Sequence, residues 1–183
     1  IHVKQIVLSN YASSLAVLNE MESSLGAISI DIGKTRTFIS FTLDDQLIYF
    51  ETISLGSFNF TKDLSNVLSI DINEAEQIRK KMDKIDVSKE IDKNNIESFR
   101  IYESRAEEFI NLIAHKIKKA KYYSLVDNNI IYTGYGSKSL LLNKIIKKKF
   151  GMSNCRLGSS LRINGSKLMV DNPSMSSAFG LLS

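Results

Sequence analysis

Hydrophobic and polar positions along this chain fall into two distinct periods. Three apolar runs, at 27–32, 37–43 and 46–55, have strand character, with Gly33 separating the first pair and Asp44-Asp45 the second. Tight turns between adjacent runs predict an antiparallel meander. Elsewhere the period is helical. Over 102–121, Phe109, Ile110, Ile113, Ala114 and Ile117 share one face of a long helix, and over 139–150 Leu141, Leu142, Ile145 and Ile146 do the same.

The shorter elements follow from the same reading. The opening "IHVKQIVLSN" predicts a short strand, and 11–21 a helix carrying Ala12, Leu15, Ala16 and Leu18. Two helices are expected at 61–68 and 73–82, the second capped by Asp71 or Asn73. The polar stretch 83–98 has no clear pattern and predicts no regular element. Strands at 129–133 and 155–157 and a closing helix at 174–182 complete the chain. A meander followed by βα units predicts an α/β fold, a mixed sheet flanked by helices.

Composition narrows the function classes. With 43% hydrophobic and 24% charged residues the 183-residue chain is an ordinary globular sequence. A net charge of +4, spread among acids, gives no reason to expect a nucleic-acid partner. The densest basic run, Lys147 to Lys149, sits where a helix C-terminus favours cations. Cys155 is the only cysteine, which excludes a disulfide framework and fits a reducing cytosol. No run approaches the roughly 20 apolar residues of a membrane span, and no signal-peptide pattern opens the chain. The first residue is Ile1 rather than Met, so the sequence is expected to start inside a longer protein.

Three short stretches could carry chemistry. In "ISIDIGKTRTFISF" a strand ends at Asp31, turns at Gly33 and returns through hydroxyl and basic residues. Such a hairpin can aim backbone N–H groups at a phosphate, and Asp31 could hold magnesium through water. It can equally be a plain strand connector. In "YTGYGSKS", glycines at a strand-to-helix junction let an anion meet the helix N-terminus, although glycine is also common turn punctuation. In "EAEQIRKK", Glu76 and Arg79 lie one turn apart, as a ligand-facing pair or as a surface ion pair.

Order and separation make these stretches more specific together. The chain resembles the second half of the bacterial cell-division protein family FtsA, of the actin, heat-shock-chaperone and sugar-kinase superfamily. "VKQIVLSNYASSLAVLNEMESSLGAISIDIG" is similar to the family's approach to its second phosphate hairpin. "SLGSFNFTKDL" follows in place, with Gly56, Thr61 and Asp63 matching. "EAEQIRKK" occupies the ribose- and adenine-contacting helix, "YESRAEEF" the helix that meets the C-terminal peptide of FtsZ, "IIYTGYGS" the adenosine turn, and "NPSMSSAFGLL" the closing segment.

The resemblance implies an actin-like, ribonuclease-H-like mixed sheet flanked by helices, with an inserted α+β subdomain. Residues 1–24 would come from the first actin-like domain. Residues 25–62 and 124–172 would form subdomain 2A, 63–123 the 2B insert, and 173–183 the closing helix. It further implies ATP or ADP with magnesium in an interdomain cleft, self-association into filaments, and attachment of FtsZ to the inner face of the cell membrane. The anchor would be a C-terminal amphipathic helix beyond this sequence. Nucleotide or phosphate contacts are expected from Asp31, Gly33, Lys34, Thr35, Thr37, Gly56, Glu76, Arg79, Gly134, Gly136 and Ser137, with Asp31 also toward magnesium. Partner contacts are expected from Arg105, Glu108 and Leu112, with His115 continuing the stripe.

The match departs from the family in one place above all. The family hairpin usually reads Asp-Ile-Gly-Gly-Gly-Thr-Thr-Asp. Here Lys34 and Thr35 replace two glycines, Arg36 a threonine, and Phe38 the closing acid. A Cβ at Thr35 crowds the phosphates, and Phe38 removes a carboxylate, while Lys34 and Arg36 could pair with phosphate charge. Tyr135 replaces the middle glycine of the adenosine turn. The expectation is nucleotide binding with weak or absent hydrolysis. The rival readings are another actin-like assembly protein, such as a type IV pilus component, and half of an actin-fold kinase.

Overall fold

In the computed structural model, residues 2–3, 6–86, 91–126, 129–160 and 172–182 are described. The predicted meander forms as β1 (Ala27–Ile32), β2 (Thr37–Leu43) and β3 (Gln46–Ile53), paired antiparallel. Asp44 and Asp45 both take positive φ, 50° and 61°, the backbone that suits a two-residue hairpin turn. β4 (Ile130–Thr133) lies parallel to β1, and β5 (Cys155–Leu157) parallel to β4, giving the order β3-β2-β1-β4-β5.

Strand alternation decides what each face of the sheet holds. Ile28, Ile30 and Ile32 of β1 join Ile39, Phe41 and Tyr132 in the main core. Against them pack α3 (Ser57–Leu68), α5 (Ile96–Lys119) and α6 (Leu140–Phe150), through Phe60, Phe109, Ile113, Leu141 and Ile146. The opposite face carries α1 (Ser9–Val17) and the closing helix α7 (Ser176–Gly180), over a smaller cluster of Ala16, Val17, Leu18, Ile131 and Phe179. That face is also lined by buried Ser29, Ser40, Thr42 and Thr133. α4 (Ile72–Met82) lies against α3 and is capped by Asp71, whose side chain accepts from the Asn73 amide at 2.7 Å.

Several boundaries differ from the sequence-based expectation, among them the closing helix, expected at 174–182 and formed at Ser176–Gly180 after a 3₁₀ turn at Pro173–Met175. The opening strand does not form among the described residues 2–3 and 6–8; Ile1, Lys4 and Gln5 lie outside them. The expected helix 11–21 is two helices, α1 and α2 (Glu20–Leu25). They are separated by a capping box in which Asn19 accepts from the Glu22 amide (2.8 Å) and donates to its carboxylate (2.9 Å). α3 begins at Ser57 rather than 61 because its first amides find carbonyl partners in the β1–β2 hairpin. α5 begins at Ile96 rather than 102, since Phe99 and Tyr102 continue its buried stripe toward the N-terminus. Residues 87–90, 127–128 and 161–171, which fall within the expected polar stretch and subdomain boundaries, lie outside the described residues.

Candidate functional site

The β1–β2 hairpin is closed by the Gly33 amide donating to the Arg36 carbonyl at 2.9 Å. Its outward carbonyls are then taken by the start of α3: Ser57 N–H donates to Gly33 (3.0 Å) and Phe58 N–H to Lys34 (2.8 Å). These are amides that a helix N-terminus would otherwise offer to an anion. Gly56 makes the approach possible, because a Cβ there would stand 2.6 Å from both carbonyl oxygens. Thr37 is fully buried and donates its hydroxyl to the Leu55 carbonyl at 2.8 Å, so it faces no ligand. Thr35 and Arg36 are exposed at the tip. Lys34 and Lys62 hold their ammonium groups 5.3 and 5.4 Å from the Phe58 ring.

The second junction packs directly on the first. β4 runs into Gly134 (φ 88°), a 3₁₀ turn at Tyr135–Lys138, and Ser139, which caps α6 by accepting from Leu142 N–H at 3.2 Å. A Cβ on Gly134 would meet Asp31 Oδ1 at 2.3 Å and the Ile32 carbonyl at 2.6 Å. Ser137 is buried and donates to the Gly134 carbonyl at 2.7 Å, fixing the turn rather than facing a ligand.

Arg79 of α4 is the hub between these elements, with 2% of its side chain exposed. Its Nε and Nη2 donate to the Glu76 carboxylate at 3.0 and 2.9 Å, Nη1 to Asp83, and Nη2 also to the Tyr135 hydroxyl at 3.1 Å. Thr61 donates to Glu76 at 2.6 Å, while Tyr102 donates to Asp83 and is 2.9 Å from Ser139. Hydrogen bonding from Arg79 pulls Glu76 down to about 2. Burial pushes Asp83 above the usual carboxylate range, against the pull of Tyr102 and Arg79.

Asp31 points to the other face of the sheet. Ser13 of α1 donates to its Oδ2, Ser177 of α7 lies 3.4 Å from the same oxygen, and the two hydroxyls are 2.6 Å apart. Burial raises its pKa even so. Among the described residues no group of three or more His, Cys, Asp or Glu gathers as metal ligands. Asp31 Oδ2 is clasped by the two serines, and its Oδ1 lies beside Gly134.

A cavity of about 410 Å³ opens where these parts meet, lined by Lys34, Ser57, Phe58, Glu76 and Tyr135. Of the residues expected from the sequence, Lys34 and Glu76 line it, Gly33 and Gly56 hold the hairpin close to the start of α3, and Arg79 is bonded to Glu76 and Tyr135. Gly134, Gly136 and Ser137 set the turn beneath Tyr135, while Asp31 and Thr37 are turned away. A larger cavity, about 730 Å³ and bordered by Asp86, Lys144, Lys147 and Met152, holds none of the expected residues. Sequence reasoning missed Ser57, Phe58, Asp83 and Tyr102. The spacing Glu76, Arg79, Asp83 places all three on one helix face and could have revealed the last acid.

On α5, Arg105 donates Nε and Nη2 to the Asp63 carboxylate, the latter at 3.0 Å, and Nη1 to Glu108 at 3.0 Å. Leu112 is half-buried and packs against the main core, and His115 is exposed. Arg105 is thus braced by α3, while Glu108, 71% exposed, leads the stripe into solvent.

The architecture defines an actin-like fold. MreB5 of Spiroplasma citri bound to ADP superposes with a TM-score of 0.71 at 13% identity, covering 95% of this chain and 57% of that one. The PilM-PilN type IV pilus biogenesis complex gives 0.70 at 16% identity, covering 97% and 52%. At such identities the likeness is one of fold alone. Sequence then gives the family: the model of cell division protein FtsA matches residues 28–180, and the chain belongs to that family. FtsA of Agrobacterium fabrum is 29% identical over 199 aligned positions, 98% of this chain and 45% of its own length. FtsA of Borreliella burgdorferi is 27% identical, over 98% and 48%. The chain spans about half the length of these relatives. No helix among the described residues is long and apolar enough to cross a membrane.

Proposed function

We infer that this chain is the half of an actin-like cell-division scaffold that closes one side of an ATP or ADP cleft. The observation that supports this most directly is the 410 Å³ cavity, where the hairpin, the α3 N-terminus, α4 and the glycine turn converge on one space. Its size falls within the range of small-molecule pockets. Lys34 supplies positive charge at the hairpin end and Tyr135 an aromatic ring at the other. Magnesium would arrive with the nucleotide's phosphates, as this ion commonly does, rather than through a preformed cage.

Hydrolysis is weak or absent on this reading. Glu76, the carboxylate on the cavity wall, is paired with Arg79 and held near 2, which makes it a poor base. Phe38 stands across the sheet from Asp31, so no second acid joins it there. In the cell the whole protein would self-associate into filaments and bind the FtsZ C-terminal peptide along Arg105, Glu108 and Leu112. It would lie at the inner membrane face through a C-terminal amphipathic helix. The test is calorimetric titration of the full-length protein with ATP and magnesium. Saturable binding that is lost in Lys34→Glu supports the cleft, and the absence of any binding up to millimolar ATP overturns it.

A further inference from the structure

The outer face of α6 carries a second pattern beside the one that builds the core. Leu141, Leu142 and Ile146 are buried, while Leu140, Asn143, Lys144, Lys147 and Lys148 fall on the opposite face and border the 730 Å³ cavity. Leu140 is 48% exposed and Met152, just past the helix, 80%, so an apolar side chain stands at each end of the lysine row. At the helical rise these two are about 18 Å apart. Asp86 also borders the cavity. The Leu140 amide donates to the Asp83 carbonyl at 2.9 Å and fixes the start of α6 against the end of α4.

The charge of this row is not neutralised inside the fold. Among the described residues, Lys144, Lys147 and Lys148 form no ion pair. Glu103 and Glu107 of α5 share a smaller cavity of about 280 Å³ with Lys144 and Lys148, yet pair with neither. Asn143, on the same wall as the lysines, holds its amide oxygen buried with no hydrogen-bond donor. A turn of that side chain toward an N–H group in the cavity would relieve the cost.

We propose that this groove docks an acidic, amphipathic peptide segment of a partner protein. Carboxylates one helical turn apart on the segment would meet the lysine row, and apolar side chains at its ends would cover Leu140 and Met152. Roughly three turns of helix span that distance. The unpaired lysines select an acidic partner, and the concave shape with apolar ends suits a peptide better than a flat bilayer or a nucleic-acid backbone. The surface is distinct from the Arg105 stripe, because Arg105 turns toward Asp63 of α3 while Glu103 and Glu107 lie on the α6 side of the same helix.

The experiment titrates the full-length protein with a fluorescein-labelled acidic peptide, LEELAEELAEEL, and with its neutral counterpart, LQQLAQQLAQQL, and reads anisotropy. The acidic peptide should bind saturably, and the neutral one more weakly by about tenfold or more. Lys147→Glu combined with Lys148→Glu should weaken the acidic peptide to a similar extent. Lys62→Glu combined with Lys121→Glu makes the same change in net charge elsewhere and should leave binding unchanged. Met152→Ala should weaken it about threefold, and carries the comparison if the double lysine variant does not fold. Amide-exchange protection on binding should fall within 140–152. Absence of saturable binding, equal binding of the two peptides, or equal loss in the control pair overturns the proposal. So does tighter binding of phosphatidylglycerol vesicles or single-stranded DNA with the same dependence on Lys147 and Lys148, which would give the groove to a membrane or a nucleic acid.

Discussion

Arg79 and Glu76, one helical turn apart on α4, share two hydrogen bonds of 3.0 and 2.9 Å, and the arginine is 2% exposed. The same guanidinium reaches Asp83 and Tyr135, so α4 is tied to the glycine turn, and through Tyr102 and Ser139 to α5 and α6. Removing the arginine withdraws the buried cation that Glu76 and Asp83 share, leaving Glu76 with the more exposed Lys80 ammonium at 4.0 Å. Arg79→Ala should therefore lose about 3–5 kcal/mol of stability, measured by urea denaturation. A paired acid also shapes the acid limb. Glu76 sits near 2 in the folded chain, below its ordinary 4.5. Its contribution is full above about pH 5 and fades as pH falls toward 2. Glu76→Gln should flatten the fall in urea midpoint over that window.

Gly56 and the two hairpin carbonyls give a second prediction. A methyl group at this position would stand 2.6 Å from backbone oxygens that cannot rotate away. Gly56→Ala should push α3 off the hairpin, breaking the Ser57 and Phe58 amide bonds, and cost about 2 kcal/mol or more. A thermal melt reads this directly, and loss of amide-exchange protection confined first to 57 and 58 locates it.

The residues that were legible in the sequence and those that were not differ in the range of their contacts. Ile28, Ile30 and Ile32 announce a strand because alternation is local, and Phe109 to Ile117 announce a helix for the same reason. Asp71 was readable as a cap within a few residues of its target. Ser57 was not readable as a helix start, since its amide partner is Gly33, across a hairpin and a strand. Asp31 was readable as the end of a strand before Gly33, but its contacts with Ser13 and Ser177, residues far apart in the chain, were not. Glu76 and Arg79 were found as a pair, while their burial depends on Tyr135 and Tyr102, which come from other elements.

The serine clasp on Asp31 leads to a third prediction, of opposite sign to that for Glu76. Burial raises the folded pKa above the unfolded value, so the folded chain holds this proton over a window where the unfolded chain has lost it. Stability contributed by the group therefore declines as pH rises through that window. Asp31→Asn keeps the shape and a hydrogen-bonding oxygen without the charge. Its melting temperature should equal or exceed that of the parent chain at pH 7, with the advantage shrinking at pH 4. A lower value at pH 7 with an unchanged pH profile would mean that Asp31 is ionised and fully compensated.

The proposed partner contact at Arg105 can be tested separately from stability. Its guanidinium holds Asp63 on α3 and Glu108 on its own helix, and it is 29% exposed, so the pairs contribute modestly, about 1 kcal/mol or less. Arg105→Glu would put a third acid beside those two. A small drop in melting temperature is expected, together with loss of pull-down of the cognate FtsZ tail peptide by the full-length protein. Asp63→Asn supplies the contrast: it removes the same brace from α3 and lowers stability by a similar amount, yet leaves the basic group in place for the peptide. Binding retained in Asp63→Asn and lost in Arg105→Glu assigns the surface to the partner. Equal loss in both would mean that the brace, and not the charge presented to solvent, carries the effect.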